Sequence, residues 1–241
     1  MGNHWYKQDG SPCYEVPYAD KKKGMRATTI RDARKLNLVP SVTTILQVMD
    51  KPGLNNWLQD RVLESALTLP RKENEPDKAY MARIKKDSKE LSSIAMNEGT
   101  KIHDACEKIF KGEEPIAYRD IARKVKDKII NKFGSEWEAE RSFATDTYGG
   151  KVDLSKYHFV IDYKTKEKFT KKMAYDEHLM QLVAYGLGLG YSLIETKYVN
   201  VFISWEGDIV IHEWEDLDEI FRAKDMFYAC LKLWQLKNNF K

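Results

Sequence analysis

The spacing of apolar residues first changes along this chain near residue 134, and that change restricts the fold more than any other feature. From 77 to about 111 the positions Met81, Ile84, Leu91, Ile94, Ile102, Ile109 and Phe110 recur at helical spacing, with Gly99 as a candidate break, and another helix fits 117–133. After that the period falls to two. The stretches 137–145, 148–155 and 159–165 read as three consecutive short strands joined by tight turns such as "TDTYGG". Helical spacing returns in "MAYDEHLMQLVAYGLGLG". A hairpin follows in "KYVNVFISWEGDIVIHEW", turning at Glu206-Gly207-Asp208, and "DLDEIFRAKDMFYACLKLWQLK" closes the chain as an amphipathic helix. Helices, three strands, helix, two strands, helix: this order predicts an α/β fold with a helical N-terminal part.

Upstream, Ser41 is placed to cap a helix, and 41–69 reads as two helical pieces interrupted by "DKPG". "PRKENEPDK" at 70–78 is a polar connector. The expected organisation is a segment 1–38 without assigned role and a single domain 39–241, helical over 39–133 and α/β over 134–241. "GLGLG" follows a helix rather than a strand, so it reads as a helix end and not as a dinucleotide fingerprint.

The chain has 241 residues, 42% of them hydrophobic, so a sizeable core is expected. No run is long and apolar enough to span a bilayer, and "MGNHWYKQDG" lacks a signal peptide's apolar stretch. A cytoplasmic location is expected, in a bacterial or phage-infected cell, without a membrane partner. Cys13, Cys106 and Cys230 are scattered and include no C-x-x-C pair, which argues against structural zinc and an iron–sulfur cluster. A net charge of +3 is too small to identify a polyanionic partner, but basic residues concentrate at 19–26, 119–128 and 164–172. Such runs are ordinarily solvated faces.

The last of these runs follows the feature that needs explaining. The paired strands "GGKVDLSKYHFVIDYKT" are largely apolar yet carry Asp153, Asp162 and Lys164, and burying one unpaired charge costs several kcal/mol. Residues two apart on a strand share a face, so Asp162 and Lys164 point the same way, and a hairpin between the strands delivers Asp153 beside them. Two carboxylates with the backbone carbonyl of Tyr163 suit a hard cation, Mg²⁺ or Mn²⁺. Lys164 could then orient or activate an attacking water.

"GGKVD" followed by "VIDYKT" resembles the catalytic core of the PD-(D/E)XK nuclease superfamily, in its RecB-like exonuclease branch. "EGTKIHDACEKI", with Gly99 and His103, resembles that branch's G-x-x-x-H element, and "QLVAY", with Gln181 and Tyr185, resembles its Q-x-x-x-Y element. "LVPSVTTIL" and "KPGLNNWL" resemble the N-terminal part of phage-encoded members, so the likeness runs from about Val39 to Leu236. The resemblance implies a restriction-endonuclease-like core, a mixed central sheet flanked by helices. It implies a divalent-metal-dependent DNA exonuclease of recombination, repair or replication, for which a recombination or replication protein is a candidate partner beside DNA. Its metal ligands would be His103, Asp153, Asp162, the Tyr163 carbonyl and a glutamate of the first strand. Glu138 and Glu140 both qualify for the last place, and Glu140 is favoured.

Under this reading Lys164 is catalytic with Asp153, Asp162 and Glu140, Gln181 and Tyr185 contact DNA from one face of a helix, and Lys166, Lys168, Lys171 and Lys172 grip phosphates. His178 is a lesser DNA-contact candidate, and Glu107 a helix-surface or second-layer group. Trp57, Trp137, Trp205, Trp214 and Trp234 are expected mainly in the core. Two alternatives stand beside the exonuclease: a structure-specific or restriction-like endonuclease on the same core, and a non-catalytic nucleic-acid-binding protein.

Overall fold

In a computed structural model of the chain, residues 4–20 and 23–240 are described. Lys21 and Lys22, at the centre of the basic run at 19–26, lie outside the described residues. The architecture is mixed α/β, with seven helices and a five-stranded mixed sheet among the described residues. Strands β5 (Glu138–Ala144), β6 (Gly149–Lys156), β7 (Phe159–Lys166), β8 (Lys197–Ser204) and β9 (Ile209–Trp214) are ordered as they occur in the chain. The first three form an antiparallel meander. β7 and β8 are parallel, because α6 (Asp176–Gly188) carries the chain back between them, and β8 and β9 form the expected hairpin.

Alternation along the strands sends side chains to two separate cores. Ile161, Tyr163, Val199 and Val201 pack against Ile102, Ile109, Val125 and Ile129 of α4 (Asp77–Phe110) and α5 (Arg119–Phe133). On the opposite face Val160 and Tyr198 pack with Leu179 and Val183 of α6 and with Phe227 and Trp234 of α7 (Leu217–Asn238). No described helix is long and apolar enough to cross a membrane.

The N-terminal residues form short pieces tied to this body. β1 (Trp5–Tyr6) pairs with β4 (Val39–Pro40), and β2 (Glu15–Pro17) pairs with β3 (Met25–Ala27). Helix α1 (Ile30–Leu36) starts from Thr29 with a reciprocal capping box to Asp32. Trp5 is 0% exposed, its ring 6.0 Å from Trp234 and 5.4 Å from Phe240. The segment before residue 39 therefore shares a core with the C-terminal helix and is not a separate unit.

Ser41 caps α2 (Val42–Ile45), its hydroxyl accepting from the Thr44 N–H at 3.0 Å, and a 3-10 turn over Leu46–Val48 follows. Pro52 opens α3 (Pro52–Thr68), where its missing N–H costs nothing. Gly99 does not break α4, which runs unbroken through it. The residue is small for a different reason: a Cβ there would lie 2.6 Å from Thr165 Oγ1, so glycine lets α4 rest directly on β7.

Candidate functional site

β6 and β7 are paired only from Leu154↔Ile161 to Lys156↔Phe159, although both strands continue further. Beyond Leu154 and Ile161 they diverge, β6 staying with β5 and β7 with β8, and the next residues on either side of the fork are Asp153 and Asp162. Continued pairing would set these two carboxylates directly opposite each other, which is repulsive. In the fork the Tyr163 N–H donates instead to Asp153 Oδ2, at 2.7 Å. A residue's N–H and C=O point to the same side of a strand, so the Tyr163 carbonyl also faces the fork.

The glycines of "GGKVD" make room nearby. A Cβ on Gly149 would sit 2.7 Å from Tyr6 Cβ, and one on Gly150 would sit 2.8 Å from Tyr185 Cε1. Helices on both faces of the sheet then send side chains inward. From α4, His103 Nδ1 comes within 3.6 Å of Asp153 Oδ2 and its ring meets Tyr163 edge-on at 5.7 Å. From α6, Gln181 Nε2 donates to Asp162 Oδ1 at 2.7 Å and to the Tyr185 hydroxyl at 2.9 Å, while its Oε1 accepts from Lys164 Nζ at 2.9 Å. Lys164 Nζ is also 2.7 Å from Asp162 Oδ2. Asn200, on β8 beside Asp162, donates to that same oxygen at 3.2 Å.

Asp162 is 3% exposed and Gln181 9%, so these bonds are made in a low-dielectric setting where an unmet partner is costly. Burial pushes the Asp162 carboxyl above its ordinary range, and the neighbouring Asp153 charge adds to the push that Lys164 resists. Burial acts the same way on Asp153, but His103, the Tyr163 N–H and Lys164 outweigh it and hold this carboxyl low. Burial lowers the proton affinity of His103, and Asp153 more than offsets it, leaving the imidazole raised. The two aspartates are thus pushed apart in acidity.

Not every anticipated residue joins them. Glu140 ion-pairs with Lys151, and Glu138 lies 3.4 Å from Arg141. Glu140 has a φ of +59°, a left-handed conformation costing a non-glycine residue roughly 1–2 kcal/mol. It has no ladder partner, although Ala139 and Arg141 on either side do. His103 stands as a partner of the Asp153 carboxylate, and Glu107 pairs with Lys111 on the surface of α4. No group of three or more His, Cys, Asp or Glu side chains among the described residues is arranged to hold a metal ion. Of the anticipated ligands, those that bring oxygen donors into the fork are the two aspartates and the Tyr163 carbonyl.

Next to the fork lies a cavity of about 760 Å³ between the start of α3 and the segment that follows β7. Arg61, Lys166, Lys168 and Lys172 line it, with Trp57, Tyr175 and Trp205 presenting aromatic surface. Lys171 lies beside Lys172 at a smaller depression with Phe202 and His212. Burial lowers the proton affinity of Lys51 and Lys166, and the nearby Lys164 lowers both further while Glu177 counters. His178, also on the cavity wall, is pushed down to about 2 by burial and by Lys164, Lys166 and Lys51. Sequence reasoning expected Trp57 and Trp205 mainly in the core; both are partly exposed where the cavity runs past them, and Trp205 also packs against the core that contains Ile203 and Ile209. That reasoning also missed Lys51 and Asn200; the only signal for the latter was a lone amide inside "YVNVFI".

No family model matches the sequence, and no curated protein matches it either. Among solved structures the chain is similar to one described as "Crystal structure of SSO0001", with 16% identity and a TM-score of 0.31, over 73% of this chain and 86% of that one. A likeness at that level bears on neither fold nor function.

Proposed function

We propose that this chain is a divalent-metal-dependent deoxyribonuclease of the PD-(D/E)XK type, with a restriction-endonuclease-like core, hydrolysing phosphodiester bonds from DNA ends. One observation carries the reading: Asp153, Asp162, Lys164, His103, Gln181 and Tyr185 come from two strands and two helices and meet in a single fork of the sheet.

The donor set fits a hard cation. Asp153, Asp162 and the Tyr163 carbonyl are all oxygen ligands, and the raised proton affinity of Asp162 means that positive charge is wanted there. These groups would hold Mg²⁺ or Mn²⁺, with His103 behind Asp153, while Glu140 would first have to leave Lys151. The ion, when bound, would supply Lewis acidity and lower the pKa of a bound water.

The remaining chemistry belongs to the chain itself. Lys164 is held between Asp162 and Gln181, so its ammonium can donate to a phosphate oxygen or fix an attacking water without searching for a rotamer. Gln181 is fixed in turn by Tyr185, which keeps the amide oxygen towards Lys164. Phosphates on the incoming strand would meet Lys166, Lys168, Lys171 and Lys172, and the mutual repulsion among the cavity's cations would be relieved by a polyanion.

The cavity supports an end-directed activity over internal cutting. It offers aromatic faces beside cations, the combination suited to unpaired bases and their phosphates. Incubating the protein with Mg²⁺ and DNA labelled at either the 5′ or 3′ end, single-stranded and duplex, tests the proposal. Release of short products from linear DNA with covalently closed circles left intact is expected. Cutting of closed circles at the linear rate would refute the end-directed part, and no cleavage of any substrate would refute the nuclease.

A further inference from the structure

Asn200 is fully buried on β8, a strand whose other central residues, Tyr198, Val199, Val201, Phe202 and Ile203, are apolar. A buried amide is costly unless both ends are bonded, and a valine in its place would have fitted the sheet. Both ends are bonded here. Nδ2 donates to Asp162 Oδ2 at 3.2 Å, and Oδ1 accepts from Trp214 Nε1 at 2.9 Å. The register accounts for the row: Asp162 pairs with Asn200 across β7 and β8, and Trp214 is two residues beyond the Asn200 partner His212 on β9.

An amide side chain presents a donor at one end and an acceptor at the other, and reversing it exchanges the two. The indole N–H can only donate. Trp214 therefore requires the Asn200 oxygen to face it, which turns the NH₂ group towards Asp162. His212 packs edge-on against Trp214 at 4.5 Å and limits the ring's freedom. From these contacts we infer that Asn200 and Trp214 are positioning residues, a two-link chain from the sheet's edge strand that aims the Asp162 carboxylate at its ligand. The inference rests on the nuclease reading and extends it to residues that touch neither metal nor DNA.

A chain of this kind makes Trp214 act only through Asn200. The test is a double-mutant cycle of Asn200→Leu, Trp214→Phe and the pair, read on the Mn²⁺ dissociation constant and on kcat and KM for linear DNA, with folding checked by circular dichroism. Asn200→Leu should weaken Mn²⁺ binding and lower kcat by about 10- to 100-fold, the range for groups that orient metal ligands, with KM for DNA unchanged. Trp214→Phe alone should give a smaller loss of the same kind. In the Asn200→Leu background it should add nothing. Additive losses, a change confined to KM, or unchanged metal affinity and kcat would each overturn the inference. So would finding that Asn200→Leu does not fold while folded Trp214→Phe matches wild type. A wild-type protein that binds Mn²⁺ but cleaves nothing would refute the nuclease reading, and the cycle on metal binding would still decide the positioning role. One that does not bind Mn²⁺ overturns both.

Discussion

Replacing Gly99 by alanine tests the contact on which His103 depends. The added Cβ would meet Thr165 Oγ1 at 2.6 Å, about 1 Å inside ordinary contact distance, while Thr165 Cβ is 3.7 Å away and does not obstruct it. Thr165 is β-branched on a strand, so turning its hydroxyl away means another χ1 rotamer that re-aims its methyl as well, and relief comes from that rotation or from a shift of α4. Overpacking of this kind costs roughly 1–3 kcal/mol, and alanine returns up to about 1 kcal/mol in a helix interior. The net expectation is a loss of about 1 kcal/mol, within a range from near zero to about 2. For a chain this long each kcal/mol lowers Tm by roughly 2–4 °C. The informative comparison is with Thr165→Ala, which removes the obstructing oxygen. In that background Gly99→Ala should become stabilising by up to about 1 kcal/mol in urea unfolding. Destabilisation of the same size in both backgrounds would refute the reasoning. Because His103 lies one turn further along α4, the single variant should also lose more activity than its stability change explains.

Gln181→Leu strands the partners of three hydrogen bonds, on Asp162, Lys164 and Tyr185, and should destabilise by about 2–4 kcal/mol in urea unfolding. His178 gives a pH signature. Its folded pKa is lowered from 6.5 to about 2, so below pH 6.5 the unfolded chain takes up a proton that the folded one refuses. Stability should fall with decreasing pH from about 6.5 towards 2, by at most about 1.4 kcal/mol per unit from this group, and His178→Phe should flatten that slope in unfolding followed from pH 7 to 5. For the cavity, Lys166→Ala and Lys172→Ala should each weaken DNA binding and reduce the slope of log K against log salt by nearly one. Binding that is insensitive to salt would contradict the assigned phosphate contacts.

The parts of this fold legible in the sequence are those fixed by local pattern. Strands β5 to β7, the hairpin at Gly207 and the closing helix follow from period and turn residues within a few positions. The clustering of Asp153, Asp162 and Lys164 follows from alternation and a hairpin register. What was not legible depends on distant neighbours. Gly99 reads as a helix break because its packing against Thr165, far along the chain, leaves no local trace. Glu140 looks like the equal of Asp153 on an alternating strand, but its left-handed backbone and its pairing with Lys151 set it apart. Trp57 and Trp205 carry the apolar signal of core residues, yet the cavity between α3 and the end of β7 leaves them partly exposed. The N-terminal segment lacks periodicity because its order comes from pairing with Val39 and Pro40 and from the Trp5–Trp234 contact.

The most direct measurement is the rate at which end-labelled linear DNA is degraded in Mg²⁺ by the wild type, Lys164→Ala and Asp162→Asn, each verified as folded. The account predicts Mg²⁺-dependent degradation by the wild type, abolished by EDTA, and a fall of at least about a hundredfold in both variants. Degradation by Lys164→Ala at the wild-type rate, or an activity indifferent to EDTA, would contradict it.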